Sequence, residues 1–147
     1  MDKTHVEHVD ADEAWRQRIA EEWSESAARH MHIADGFSIL ALSEGKPIGL
    51  ISVHWRKLAP PLDDTNEGYI DIIAVLAGFR RRRIATRLIE ISAERARERG
   101  VRQLRAWSSE DKTEAMLMWK ALGSGLCPAT SYPKGKEVRG YLVTRVL

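Results

Sequence analysis

In the first half of the chain, short apolar runs alternate with polar turns, a pattern typical of strands joined by tight connections. Residues 37–42 and 48–55 are apolar with turn residues 44–47 between them, so they predict a β-hairpin. The opening HVEHV favours a short strand. Residues 69–75 (YIDIIAV) are mostly apolar, which predicts a strand at the centre of a sheet. The segment 58–66 holds two prolines and two aspartates and predicts a loop.

Helical spacing occurs in four further segments. Asp10 and Glu13 form a capping-box pattern, and Trp15, Ile19 and Trp23 follow at helical intervals, which predicts a first helix with buried tryptophans. The other helices are predicted over 26–33, 84–99 and 113–122, and glycines at 100 and 123 end the last two.

Strands over 102–107 and 138–146 complete the prediction, and the order of elements is β, α, α, β, β, β, α, β, α, β. Hairpins in the first half and helical crossovers in the second imply a mixed sheet with helices on both faces. A length of 147 residues fits one domain, 1–147, of the α/β (α+β) class.

Composition excludes several function classes. No apolar run is long enough to cross a membrane, and the acidic N-terminus lacks an apolar signal core, so we expect no export. The single cysteine, Cys127, allows no internal disulfide and fits a reducing cytoplasm. The histidines at 5, 8, 30, 32 and 54 accompany no CxxC pattern, so we expect no metal.

The net charge of +2 is spread unevenly along the chain. Residues 1–25 hold eight acids, whereas residues 80–105 hold ten arginines against three glutamates. This asymmetry predicts an anionic partner near the second segment, either a small molecule or a nucleic acid.

The stretch FRRRRIATRLIEI, from position 79, places four arginines at the start of a predicted helix. A helix N-terminus disfavours cations, but its open N–H groups bind anions. A pyrophosphate bound among the arginines would make the local charge negative, and the guanidiniums would then neutralise it favourably. The alternative interpretation is a solvated, charged turn.

In this setting VLAGFRRRRIATRLIE resembles the acyl-coenzyme A signature of the GNAT superfamily of N-acetyltransferases, R/Q-x-x-G-x-G/A after a strand-ending valine. Arg80 and Ala85 match, whereas Arg83 stands where the family has glycine and Ala77 where it often has proline. Arg83 either weakens the backbone cradle or adds a cation. If the helix includes position 83, restoring glycine there costs helix propensity.

A second family segment, N-x-x-A-x-x-L-Y-x-x-x-G-F, is similar to residues 112–124, where the Ala, an apolar residue, an aromatic and the Gly match. The family's tyrosine falls at Trp119, whose indole can donate a hydrogen bond but is no acid in water. Trp119 therefore packs on the cofactor or in the core, and Tyr132 or Tyr141 could supply the proton to the thiolate.

The resemblance implies a mostly antiparallel sheet of six to seven strands and acetyl transfer from acetyl-coenzyme A to a small-molecule or peptide amine. For the base we consider Glu67 and Asp71, with Tyr69, Asp71 and Ile73 expected on one face; His54 is a third option, which we interpret as a core histidine. The implied cofactor-binding residues are Ala74, Val75, Arg80, Arg81, Arg82, Arg83, Ile84, Ala85, Thr86 and Trp119.

An acidic rim of Asp63, Asp64 and Glu67 suits a cationic amine. Two alternatives remain open: a coenzyme A-binding sensor without turnover, and an arginine-rich nucleic-acid module, which lacks any known nucleic-acid motif. The resemblance involves no membrane, and family habit favours a homodimer.

Overall fold

The structure is a computed structural model that describes residues 5–80 and 82–147. Its strands are β1 (Val6–Asp10), β2 (Gly36–Ser43), β3 (Lys46–Lys57), β4 (Asn66–Val75), β5 (Gln103–Ser109), β6 (Gly125–Ser131) and β7 (Val138–Val146). Its helices are α1 (Glu13–Glu22), α2 (Glu25–Arg29), α3 (Ile84–Glu98) and α4 (Thr113–Ala121).

The strands form one seven-stranded sheet in the order β1-β2-β3-β4-β5-β7-β6. Among the described strands every pair is antiparallel except β4–β5. Helices cover both faces, because alternate residues of β2 enter two different cores. Ile39 and Ala41 belong to the main core with Leu88 of α3, and Leu40 belongs to a second core with Ile19 of α1. The predicted fold class is confirmed.

The start of α1 differs from the predicted capping box. Asp10 is the last residue of β1, and the helix is capped by Asp12, whose carboxylate accepts a hydrogen bond from the Trp15 N–H at 2.9 Å. Asp10 pairs instead with Arg95 of α3. The second helix is also shorter than the predicted 26–33. Ser24 caps its start, and it ends at Arg29.

The strand β6 is absent from the prediction. Its sequence GLCPATS lacks apolar alternation and contains Pro128, which cannot donate to a sheet ladder. Both features are tolerated because β6 is an edge strand that pairs with β7 alone. Within the described residues, every helix is too short or too polar to span a bilayer.

Candidate functional site: the divergence of β4 and β5

The parallel strands β4 and β5 pair at two positions and then separate. Gly68 pairs with Leu104 and Tyr69 with Arg105, and no further pair joins these two strands among the described residues. Gly68 permits the close approach, because a Cβ there would lie 2.7 Å from Leu104 Cδ2. Beyond Tyr69 the edge of β4 is left with backbone groups that β5 does not use, and such groups can pair with another extended chain.

A β-bulge at the point of divergence sets the direction of Asp71. The strand β3 pairs with Ile70 and then directly with Ile72, so Asp71 is an extra residue. The bulge overturns the expectation that Asp71 shares a face with Ile73. Ile73 packs on the main core, whereas Asp71 contacts histidines that follow α2, on the opposite side of the sheet.

Glu67 lies in the closed part of the β4–β5 junction and is fully buried. Its Oε1 accepts hydrogen bonds from Arg56 Nε at 2.8 Å and Arg105 Nη2 at 3.0 Å, and its Oε2 accepts one from Gln103 Nε2 at 2.8 Å. The Arg56 guanidinium also covers the Tyr69 ring at 3.7 Å. Both carboxylate oxygens are therefore occupied, and the group is closed to solvent.

Asp71 is the more accessible carboxylate, and imidazoles surround it. Its side chain is 29% exposed, and its Oδ2 lies 2.8 Å from His32 Nε2 and 3.3 Å from His30 Nδ1. His32 Nδ1 in turn lies 3.0 Å from Asp35 Oδ2. His54 stacks on His32 with ring centroids 4.6 Å apart and lies 3.5 Å from Asp35, so it is not a core histidine.

The two carboxylates change the protonation of His32. Burial alone lowers the pKa of His32, but hydrogen bonds to Asp71 and Asp35 outweigh burial and raise that pKa above its ordinary value. The pKa of Asp35 is lowered in return, chiefly because His32 hydrogen-bonds to it. Charge on this cluster is thus sensitive to pH in the neutral range.

His32, Asp35 and His54 are also the described residues grouped closely enough to consider as metal ligands, with ligand atoms within 4.8 Å of one another. The two imidazole rings are nearly parallel, at 5°. A nitrogen lone pair lies in its ring plane, so parallel stacked rings do not direct their lone pairs at one ion. We therefore interpret the cluster as a hydrogen-bond network.

The start of α3 has the features of an anion site. Arg83, the residue before the helix, has φ of 61°, and among the described residues no side chain caps the helix. The N–H groups of Ile84, Ala85 and Thr86 therefore lack intrahelical partners. The first turn contains no acid. The φ value explains why glycine is favoured at this position, since glycine adopts positive φ without a steric penalty.

The neighbouring predicted residues surround this turn. Ala74 and Val75 end β4, and the Arg80 Nε donates to the Val75 carbonyl at 3.4 Å. Arg82 lies over the Phe79 ring at 5.3 Å. Arg81 lies outside the described residues. The structure thus brings the end of β4 and the start of α3 together.

Trp119 and the two tyrosines considered as proton donors lie in different settings. Trp119 is 3% exposed and belongs to the main core, which is the packing role. Tyr132 is 65% exposed. Tyr141 lines a pocket of about 250 Å³ with Glu110 and Arg139, near the C-terminal end of β5.

Sequence reasoning missed His30, His32 and Asp35. A usable signal was present in the H-x-H-x-x-D spacing just before β2. The predicted hairpin of β2 and β3 is a second signal for the same cluster. In its observed register Gly36 pairs with His54, which places His54 beside Asp35. Zinc-type spacing, the basis for expecting no metal, does not detect histidine–carboxylate pairs.

The family model for the acetyltransferase (GNAT) family matches residues 4–123. Among curated proteins, none matches the chain in sequence.

Several solved structures share the fold at low identity. NAA60 of Arabidopsis thaliana, in complex with acetyl-CoA, gives a TM-score of 0.75 at 14% identity, covering 97% of this chain and 100% of that chain. The ribosomal-protein-S18-alanine N-acetyltransferase from Escherichia coli gives 0.74 at 16% identity, covering 97% and 94%. A GNAT family acetyltransferase from Elizabethkingia anophelis with acetyl-CoA bound gives 0.69 at 15% identity, covering 99% and 100%.

Proposed function

Because the chain belongs to the GNAT family of acetyltransferases, which transfer an acetyl group from acetyl-CoA to an amine, we propose that its acceptor is a primary amine bound beside Asp71. The observation that carries this proposal is the position of Asp71. It lies at a bulge where β4 leaves β5, on the sheet face that α1 and α2 cover.

The first turn of α3 fits the pyrophosphate of acetyl-CoA. Its backbone N–H groups are uncapped, its N-terminal dipole favours an anion, and Arg80, Arg82 and Arg83 supply neutralising charge nearby. Binding by Arg81 stays a prediction from sequence. The proposal leaves Trp119 in a packing role, because its ring is buried in the core.

The divergence of the strands gives the rest of acetyl-CoA a path. Val75 lies four residues beyond Asp71, a distance of roughly 13 Å at about 3.3 Å per residue of strand. An extended pantetheine arm that begins at α3 can therefore follow the unpaired edge of β4 towards Asp71, with its amides bonded to that edge. The amide N–H groups of the same edge are candidates to stabilise the tetrahedral oxyanion.

We assign the base role to Asp71 rather than Glu67. In the described part of the chain, both histidines bind Oδ2 of Asp71 and no donor contacts Oδ1, so Oδ1 can receive a proton from the acceptor's ammonium group. Glu67 has no comparable free oxygen. For the departing thiolate we propose Tyr141 as proton donor, because it lines a pocket at the same end of the sheet.

The test is release of free coenzyme A from acetyl-CoA in the presence of a primary diamine or a short peptide with a free N-terminus. Cys127 is exposed and would react with a thiol reagent, so the assay uses the Cys127→Ser variant and confirms the acetylated amine by mass spectrometry. The two amines distinguish a small-molecule acceptor from a peptide acceptor. We expect acetylation that depends on Asp71.

Two results would contradict the proposal. Binding of acetyl-CoA without acetylation of either amine would indicate a coenzyme A sensor. No thermal shift with acetyl-CoA, combined with a shift on adding short RNA or DNA, would favour the nucleic-acid module.

We further propose that residues 1–147 form one domain, since a single sheet includes strands from Val6 to Val146. A reducing, cytoplasmic setting is supported by the single cysteine. The homodimer stays a prediction, and sedimentation of the purified chain would test it.

A further inference from the structure

A series of short contacts links Asp71 to solvent through His32. The Asp71 Oδ2 lies 2.8 Å from His32 Nε2, and His32 Nδ1 lies 3.0 Å from Asp35 Oδ2. Exposure of the side chains is 29% for Asp71, 17% for His32 and 57% for Asp35. We propose that His32 relays the acceptor's proton from Asp71 to Asp35 and so to solvent. This inference rests on the proposed function and adds a route for the proton.

The steps of the relay balance in protons. The acceptor's ammonium gives one proton to Asp71, which leaves a neutral amine to attack the thioester. The Asp71 carboxyl group then rotates so that its protonated oxygen faces His32 and passes that proton to Nε2, while the proton on Nδ1 moves to Asp35. Asp35 releases it to water, and His32 recovers after a tautomer change or ring reorientation. No oxidant, reductant or metal takes part.

His32 is held in place for this role by neighbours that leave both ring nitrogens to the carboxylates. Its backbone N–H donates to Ser52 Oγ at 2.7 Å, and its carbonyl accepts from Ser38 Oγ at 2.7 Å. Its ring stacks on that of His54. These contacts fix the ring between Asp71 and Asp35, as a relay requires.

Charged groups reach this cluster from every neighbouring element. Asp71 comes from β4, His54 from β3, Asp35 from the turn before β2 and His30 from the end of α2. From α1, Arg16 binds the carbonyl of Met31, the residue before His32. Since the two carboxylates raise the pKa of His32, the acidic limb of kcat should lie above the ordinary histidine value of about 6.5.

The matched variants are His32→Gln and His30→Gln. Both histidines contact the same oxygen of Asp71, but His30 is 51% exposed and its ring has no second carboxylate partner among the described residues. Glutamine keeps a hydrogen bond but cannot carry a proton. We expect His32→Gln to lower kcat roughly 10²-fold and to remove the acidic limb. His30→Gln should keep the limb and lower kcat by less than about 3-fold.

A third variant, Asp35→Asn, tests whether Asp35 is the group that releases the proton to solvent. Removing this carboxylate should lower the pKa of His32, so the acidic limb moves to lower pH. Titration of the His32 ring by NMR measures the same shift without turnover. Melting temperature and acetyl-CoA affinity are measured for each variant, and we expect both to stay close to wild type.

The outcomes separate the two proposals. If wild type acetylates an amine but His32→Gln keeps a wild-type kcat and acidic limb, or if His32→Gln and His30→Gln behave alike, the relay is wrong and the proposed function stands. If wild type binds acetyl-CoA and acetylates neither amine, the proposed function is wrong and the relay falls with it.

Discussion

Glu67 and Asp71 lie on the same strand, four residues apart, and differ in almost every property that matters for proton transfer. Glu67 adjoins the positions where β4 and β5 pair, and it is fully buried among Arg56, Arg105 and Gln103. Asp71 lies where the strands have separated, and its partners are two imidazoles. We infer that strand pairing decides which carboxylate is structural and which can meet a substrate.

The largest effect is expected from Asp71→Asn. Asparagine keeps the size of the side chain and removes the proton acceptor, so kcat should fall about 10²–10⁴-fold. The measurement is steady-state acetylation with saturating acetyl-CoA. Glu7→Gln, an exposed carboxylate on the edge strand β1, is the control and should keep near-normal turnover. Equal activity of the two variants would contradict the role of Asp71.

The matching change, where β4 and β5 are paired, is Glu67→Gln, which should lower stability rather than turnover. It leaves two arginines, one of them 28% exposed, without a carboxylate, and breaking a buried pair costs about 3–5 kcal/mol. For a chain of this size the melting temperature should fall by roughly 10 °C. Turnover per folded molecule should change less than about 3-fold.

The control for this variant is Glu90→Gln, which removes a surface pair with Arg87 at 3.8 Å and should cost under about 1 kcal/mol. A Glu67→Gln protein that melts like wild type and has lost turnover would reverse the roles of the two carboxylates.

A smaller effect is expected from Gly68→Ala, which tests the junction itself. The added Cβ would lie 2.7 Å from Leu104 Cδ2 and 3.1 Å from Val53 Cγ1, so the buried Leu104 side chain or the strands must shift, at a cost of about 1–3 kcal/mol. Chemical denaturation measures this loss. Gly125→Ala is the control, since its Cβ would meet ordinary contact at 3.7 Å. Equal stability of both variants would show that the junction is loosely packed.

The smallest effect is expected from Arg83→Gly, at the residue that precedes α3. Counting position 83 as helical predicts a small loss of stability, but Arg83 precedes the helix with φ of 61°. Glycine relieves that strain, and we expect a gain of about 1 kcal/mol with acetyl-CoA affinity kept or improved.

Arg83→Ala separates charge from strain in this comparison, because it removes the guanidinium and keeps the Cβ. A tenfold loss of acetyl-CoA affinity in both variants, largest at low salt, would make Arg83 itself a principal phosphate ligand.

The sequence predicts most of the fold because the information is local. Apolar runs, the 44–47 turn and the stops at Gly100 and Gly123 each depend on neighbouring residues. The strand β6 is not predicted because an edge strand needs little apolar pattern. The helix cap is predicted at Asp10 rather than Asp12 because both residues offer a carboxylate. Local signals leave such choices to tertiary packing.

The site was less predictable because its geometry depends on contacts distant in the chain. The bulge at Asp71 reverses the faces that simple alternation gives, and no residue type marks it. The neutralisation of Glu67 comes from β3 and β5, and the network at Asp71 comes from the segment after α2. Residue types suggested both carboxylates, and three-dimensional pairing distinguishes them.

The two-position junction between β4 and β5 also divides the sheet into two groups, β1–β4 and β5–β7, which are each internally antiparallel. Both groups contribute to the main core under α3, but only two backbone positions pair them, so they can open as separate cooperative units. Amide hydrogen exchange would resolve such units as two classes of protection. Acetyl-CoA seated between the strands would contact both groups. Its binding should therefore slow exchange across the whole sheet and merge the two units into one. At a hundredfold excess of acetyl-CoA over its Kd, the free energy of opening should rise by up to about 2.7 kcal/mol.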